Sequence, residues 1–154
     1  AAGAGAGRPA RALGEAVRAN DTLLALDLRG CGLGPDGGFQ VGTALVHNAT
    51  LTKLNLSNNP LQSAGIENLM KALARRNATL RDLDISKCSL KNSGNQLGMA
   101  LCTNTGLTCL SARDNDFGPT DGKCLGEALS TNVDLVELDL GSNMLGEEGG
   151  RAFA

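Results

Sequence analysis

Five stretches of the chain place leucine or another apolar residue at the same offsets. They are Leu23-Leu-Ala-Leu-Asp-Leu-Arg-Gly-Cys-Gly-Leu33, Leu51-Thr-Lys-Leu-Asn-Leu-Ser-Asn-Asn-Pro-Leu61, Leu80-Arg-Asp-Leu-Asp-Ile-Ser-Lys-Cys-Ser-Leu90, Leu107-Thr-Cys-Leu-Ser-Ala-Arg-Asp-Asn-Asp-Phe117 and Leu135-Val-Glu-Leu-Asp-Leu-Gly-Ser-Asn-Met-Leu145. Each reads L-x-x-L-x-L-x-x-N/C-x-L, and their starts lie 28, 29, 27 and 28 residues apart. Five such matches in register over most of the chain are the signature of stacked repeats. In the central L-x-L, successive side chains of a strand point to opposite faces. Leu26 and Leu28 therefore face inward, as do 54 and 56, 83 and 85, 110 and 112, and 138 and 140, while Asp27 and its equivalents face out.

A glycine follows each strand (Gly37, Gly65, Gly94, Gly122, Gly149), and a segment of helical period follows the glycine. Val41, Ala44 and Leu45 share one helical face, as do Leu97, Ala100 and Leu101, and Leu125, Ala128 and Leu129. An asparagine stands three residues before each strand motif, at 20, 48, 77, 104 and 132. This residue type suits a left-handed turn closing the helix. Leu13-Gly-Glu-Ala-Val-Arg-Ala-Asn20 matches Leu125-Gly-Glu-Ala-Leu-Ser-Thr-Asn132, so the first residues read as the helix of an incomplete repeat. The expected organisation is a flexible Gly/Ala-rich segment over 1–9 and a repeat domain over 10–154. Its repeats start near 23, 51, 80, 107 and 135, and the last is truncated. Neither end carries the polar cap of a terminal repeat, so the chain reads as part of a longer solenoid. Residues 1–7, with Arg8, Arg11 and Arg18, also have the composition of an organelle transit peptide, a reading opposed by the repeat match that follows them.

These motifs resemble the leucine-rich-repeat family, in its ribonuclease-inhibitor-like subfamily, whose repeats of about 28 residues carry a full helix. The resemblance implies an α/β horseshoe-shaped solenoid, with parallel strands on the concave face and helices on the convex face. It also implies a ladder in which Cys31, Asn59, Cys88, Asn115 and Asn143 bond the backbone of neighbouring coils. The same subfamily supplies the repeats of nucleotide-binding leucine-rich-repeat sensors, of the Ran GTPase-activating protein, and of ciliary and cytoskeletal scaffolds. The Asn48-Ala-Thr-Leu and Asn77-Ala-Thr-Leu junctions look like the sensor and ciliary members. The function implied is a non-enzymatic protein–protein interaction scaffold, as part of a larger intracellular protein or a subunit of a large assembly. The alternatives are a regulator of a GTPase or the sensing region of a nucleotide-binding switch. No family residue of the GTPase activator can be matched here. The expected compartment is the cytoplasm, with cilium or cytoskeleton as variants.

Charge and composition narrow the classes. Fourteen cations against sixteen anions give a net charge of −2, which offers no general attraction to nucleic acid. No apolar run reaches the roughly 18 residues of a membrane span. Phe39, Phe117 and Phe153 are the only aromatics, so the core is aliphatic. Five cysteines without a C-x-x-C pair fit a reducing compartment.

Candidate chemistry is sparse. Gly32-Leu-Gly-Pro-Asp-Gly37 matches a dinucleotide fingerprint between a strand and a helix, but its glycines recur with the repeat, and no acidic residue closes the next strand. The sequons at Asn20, Asn48, Asn55 and Asn77 are mostly the repeat junction itself. Cys31 and Cys88 are ladder residues, Cys102 and Cys124 are expected to pack within helices, and Cys109 is expected on the concave face. His47 alone provides no triad and no metal set. No catalytic residue, cofactor or metal site is expected.

Strand alternation leaves the concave face as the candidate site: Asp27, Arg29, Lys53, Asn55, Asp84, Lys87, Ser111, Arg113, Asp114, Glu137 and Asp139. With Ala25, Gly30, Ser57, Asn58, Arg81, Asp82, Ser86, Cys109, Gly141 and Ser142 around them, this face carries five cations and six anions. Such a mosaic suits matching to a protein surface and not to a phosphate backbone. The pattern leaves this polar row permitted by the fold but not required by it.

Overall fold

A computed structural model describes residues 7–75 and 77–154. Among the described residues six helices and five strands alternate: α1 (Gly7–Ala19), β1 (Ala25–Asp27), α2 (Pro35–Leu45), β2 (Lys53–Asn55), α3 (Gln62–Arg75), β3 (Asp82–Asp84), α4 (Gly94–Thr103), β4 (Cys109–Ser111), α5 (Pro119–Leu129), β5 (Glu137–Asp139) and α6 (Gly146–Arg151). The strands form one parallel sheet in sequence order. Strands stack about 4.8 Å apart and helices need about 8–10 Å; that mismatch bends the stack, with its strands inside the curve. α1 begins at Gly7, inside the segment read as linker, and residues 1–6 lie outside the described residues.

The inward leucines make one core. Leu54, Leu56, Leu83, Ile85, Leu110 and Ala112 are at most 2% exposed, and Val41, Leu45, Leu69, Leu97 and Leu125 meet them from the helices. Ala112 is the only small residue at its position in the five repeats, and the same coil carries the only aromatic at the repeat's last position, Phe117. Both are completely buried and belong to the same core. The helical glycines set the spacing between coils: a methyl group on Gly38 would come within 2.7 Å of the Gly65 carbonyl oxygen. Gly37, Gly38 and Gly65 thus serve close packing around the motif that resembles a dinucleotide fingerprint.

Two hydrogen-bond ladders run through the stack. The first is at the strand exit. Asn59 donates to the carbonyls of Leu28 and Leu56 at 2.9 and 2.8 Å and accepts from Leu33 N–H at 2.9 Å. Asn143 repeats this pattern, Asn115 donates to Ile85 O and accepts from Cys88 N–H, and the Cys88 thiol donates to Leu56 O. Burial pushes that thiol up to about 11, so it stays a neutral donor. Cys31, expected in the same ladder, is exposed in the first coil and reaches only Arg29 O of its own turn.

The second ladder corrects the reading of the junction asparagines. None of Asn48, Asn77, Asn104 and Asn132 has a positive φ, and Asn104 is extended. Asn77 Nδ2 donates to Leu45 O and Asn48 O, and its Oδ1 accepts from the N–H groups of Thr79 and Leu80. Asn48, Asn104 and Asn132 make the same four bonds. Each amide therefore closes its own turn and holds the helix end of the coil before it. The buried Asn48 and Asn77 amides are committed to these bonds, which leaves neither free as a sequon in the folded chain. The left-handed turn sits at the other end of the coil, at Gly30, Asn58, Lys87, Asp114 and Ser142. There the first four residues still donate their N–H to the next coil, at 2.9–3.0 Å, which offsets the cost of that backbone region.

Candidate protein interface on the concave face

Register places the expected residues in rows across the sheet. One row is Ala25, Lys53, Asp82, Cys109 and Glu137; the next is Asp27, Asn55, Asp84, Ser111 and Asp139. Beyond the strands stand Arg29, Arg113 and Gly141, then Lys87 and Asp114 at the turn. All eleven candidate residues are exposed or half-buried. Ser57 and Ser86, also expected to face outward, are buried. Their short side chains stay on the concave side but are covered by the polar residues around them. Ser57 Oγ donates to Asn55 Oδ1 at 2.7 Å, and Ser86 Oγ bonds Ser111 Oγ at 2.8 Å.

The fold makes use of the second row. Asp27, Asn55, Asp84 and Asp139 each accept the backbone N–H two residues on, at 2.9–3.0 Å. These Asx turns start the curl after the strand, so the row is partly structural, against the expectation that the fold does not need it. In the fourth coil Ser111 occupies this place, and the Arg113 N–H turns to Ser86 Oγ instead.

Most charges on this face are paired with one another. Arg29 meets Asp27 at 2.9 Å, Lys53 meets Asp82 at 3.5 Å and Lys87 meets Asp114 at 3.8 Å. Arg113 Nη1 reaches both carboxylate oxygens of Asp139, at 2.9 and 3.0 Å. Its guanidinium lies against Gly141, where an added side chain would push it aside, and Nη2 reaches Ser142 Oγ at 3.4 Å. Among the described residues Asp84 and Glu137 form no ion pair. Register sets them on neighbouring rows two coils apart, with Ser111 and Cys109 between; a shallow hollow with Asp82, Cys109, Ser111, Glu137 and Asp139 in its lining opens on the Glu137 side.

Backbone N–H donation and the nearby arginine hold the carboxyls of Asp27 and Asp139 below the ordinary range. A lowered folded-state pKa contributes stability that is present above the unfolded value of about 3.9 and is lost as pH falls through the lower folded-state value. Asp139→Asn keeps the turn acceptor and removes the charge. Its melting temperature should match the parent's below pH 3 and fall slightly short above pH 5, since exposed pairs contribute only about 0.2–1 kcal/mol. A deficit equal at both pH values would contradict this account.

The remaining sites resolve simply. His47 is exposed just after α2. Cys109 is half-buried on the concave face, Cys124 is half-buried, and all five cysteines are unpaired. Cys102 does not pack into its helix layer but faces solvent. No group of three or more His, Cys, Asp or Glu placed to hold a metal occurs among the described residues. No described helix is long and apolar enough to cross a membrane.

A stack of one-strand, one-helix coils, tied by an asparagine/cysteine ladder behind a parallel sheet, defines an α/β solenoid. Residues 19–40, 47–70, 76–97 and 131–154 match the family model described as Leucine Rich repeat, and the chain belongs to that family. The coil starting at Leu107 falls outside the match; it is the one with Ala112 and Phe117 at leucine positions. The chain is 36% identical over 95 residues to human NACHT, LRR and PYD domains-containing protein 13, covering 61% of this chain and 9% of that protein. It is 35% identical over 105 residues to human NACHT, LRR and PYD domains-containing protein 5, covering 67% and 9%. To pig ribonuclease inhibitor it is 34% identical over 97 residues, covering 62% and 21%. The chain thus spans about a tenth to a fifth of these relatives' lengths. In fold it is similar to the tropomodulin C-terminal domain of Caenorhabditis elegans, with TM-score 0.74, 15% identity, and coverage of 93% of this chain and 87% of that one.

Proposed function

We propose that this chain is a non-enzymatic protein-binding module whose concave face is the interface, acting as a scaffold within a larger protein or assembly. One observation carries the reading: the concave face is a fixed array of charges mounted on a parallel sheet whose three inner strands are paired on both sides. Asx turns and ion pairs hold Asp27, Arg29, Arg113 and Asp139 in place before any partner arrives, which reduces the ordering cost of association. The carboxylates of Asp84 and Glu137 remain unpaired for a partner's cations. Similarity to ribonuclease inhibitor, a protein named for binding another protein, supports this reading. Similarity to the NACHT, LRR and PYD proteins favours a second one, in which the module is the sensing region of a switch protein. Both place the contact on this face, and neither involves catalysis, a cofactor or nucleic acid. Neutralising Asp84 and Glu137 together, with Glu127→Lys on the convex face as control, tests the proposal through recovery of the partner from the native source.

A further inference from the structure

The convex face carries an apolar feature that the concave reading leaves unused. α4 has no charged residue along its whole length, and Met99 at its outer surface is 65% exposed. A cleft of about 320 Å³ lies between α3 and α4, with Met70, Ala74 and Ala100 among its lining and Met99 on its rim. Its α3 side bears Lys71 and Arg75. Lys71 is paired with Glu67, one turn earlier, while Arg75 forms no ion pair among the described residues. The next cleft, between α2 and α3, is also lined by Lys71 and Arg75. These two cations therefore form a ridge between two hollows. On the α4 side, Gln96 lines the first cleft with a buried amide oxygen that has no hydrogen-bond partner.

From this geometry we infer that the α3–α4 cleft is a second docking site, one that takes an acidic amphipathic helix of a partner protein. Apolar side chains spaced along one face of such a helix fill a groove of this kind. Flexible thioethers such as Met70 and Met99 adapt to varied aliphatic shapes. Charge selects the helix: α4 contributes none, Glu67 is neutralised by Lys71, and Arg75 is left to attract a carboxylate beside the apolar stripe. A basic helix would face the same cation with the wrong sign.

The probe is a pair of fluorescein-labelled synthetic helices with identical leucine stripes, one bearing glutamates and the other lysines, read by anisotropy against the full chain at low salt. The acidic helix is expected to bind at least tenfold more tightly. Met99→Lys should weaken it about tenfold, Arg75→Glu should abolish or reverse the preference, and Asp84→Asn with Glu137→Gln should leave it unchanged. Both convex residues are solvent-exposed, and circular dichroism should show these variants folded as the parent. Equal affinity for the two helices overturns the inference. So does loss of binding in the concave variant, or a concentration-dependent dimer of the chain that Met99→Lys dissolves, since a second copy would then occupy the cleft. None of these outcomes bears on the concave interface, which has its own partner and its own variants.

Discussion

Leu83→Asp is expected to abolish the cooperative melt and most of the helical circular-dichroism signal. Leu83 is completely buried at the middle of β3, in register with Leu54 and Leu110 on the neighbouring strands. An aspartate there would place a carboxylate among leucines with no cation in reach, which costs several kcal/mol whether it ionises or binds a proton. The loss of leucine packing adds about 2–5 kcal/mol. Against a total stability of about 5–15 kcal/mol the sum is decisive. A stack joined only through nearest neighbours has no other element to bridge the broken coil. An unchanged melting curve would mean that the inward register of the repeat is wrong.

Asn77→Ala should come next in severity, with a loss of about 3–5 kcal/mol read from chemical denaturation. The substitution removes four hydrogen bonds at once, each worth about 1 kcal/mol net, and strands buried donors and acceptors that cost more. Asn77→Gly separates the two explanations for this residue. If asparagine stood there for a left-handed turn, glycine would be neutral or better. The side-chain ladder predicts instead that glycine is as damaging as alanine or worse. A stable Asn77→Gly chain would refute the ladder.

The sequence made the strand motifs, inward leucines, helix faces and strand-exit ladder legible because each rests on a periodicity that repeats five times. The junction asparagines were misread because asparagine suits both a left-handed cap and a side-chain cap. The signal that separates them was present: asparagine stands at all five junctions, where a left-handed turn alone would also accept glycine. Asp27, Asn55, Asp84 and Asp139 likewise carry Asx-turn chemistry at one repeat position, which marks them as structural as well as exposed. Ser57 and Ser86 are buried although they bond the outward row, because alternation reports direction and not the neighbours, Asn55 and Ser111, that engage their hydroxyls. The pairing of Arg113 with Asp139, and its dependence on Gly141, joins residues 26 to 28 apart on adjacent coils. No local pattern reports such a contact.

The most direct test of the concave interface is the Asp84→Asn, Glu137→Gln double variant. Asparagine at 84 keeps the turn acceptor that Asn55 already provides one coil earlier, and Glu137 is exposed and caps nothing, so both changes act on charge and spare the fold. Partner recovery from an extract of the native source, measured by quantitative mass spectrometry at 50 and 500 mM salt (about 14 and 4 Å of screening length), is compared with the parent chain and Glu127→Lys. The account predicts that the double variant loses most of the partner at low salt. Parent and variant should converge at high salt, while Glu127→Lys behaves as the parent throughout. Full recovery by the double variant together with loss in Glu127→Lys would place the binding surface on the helices and contradict it.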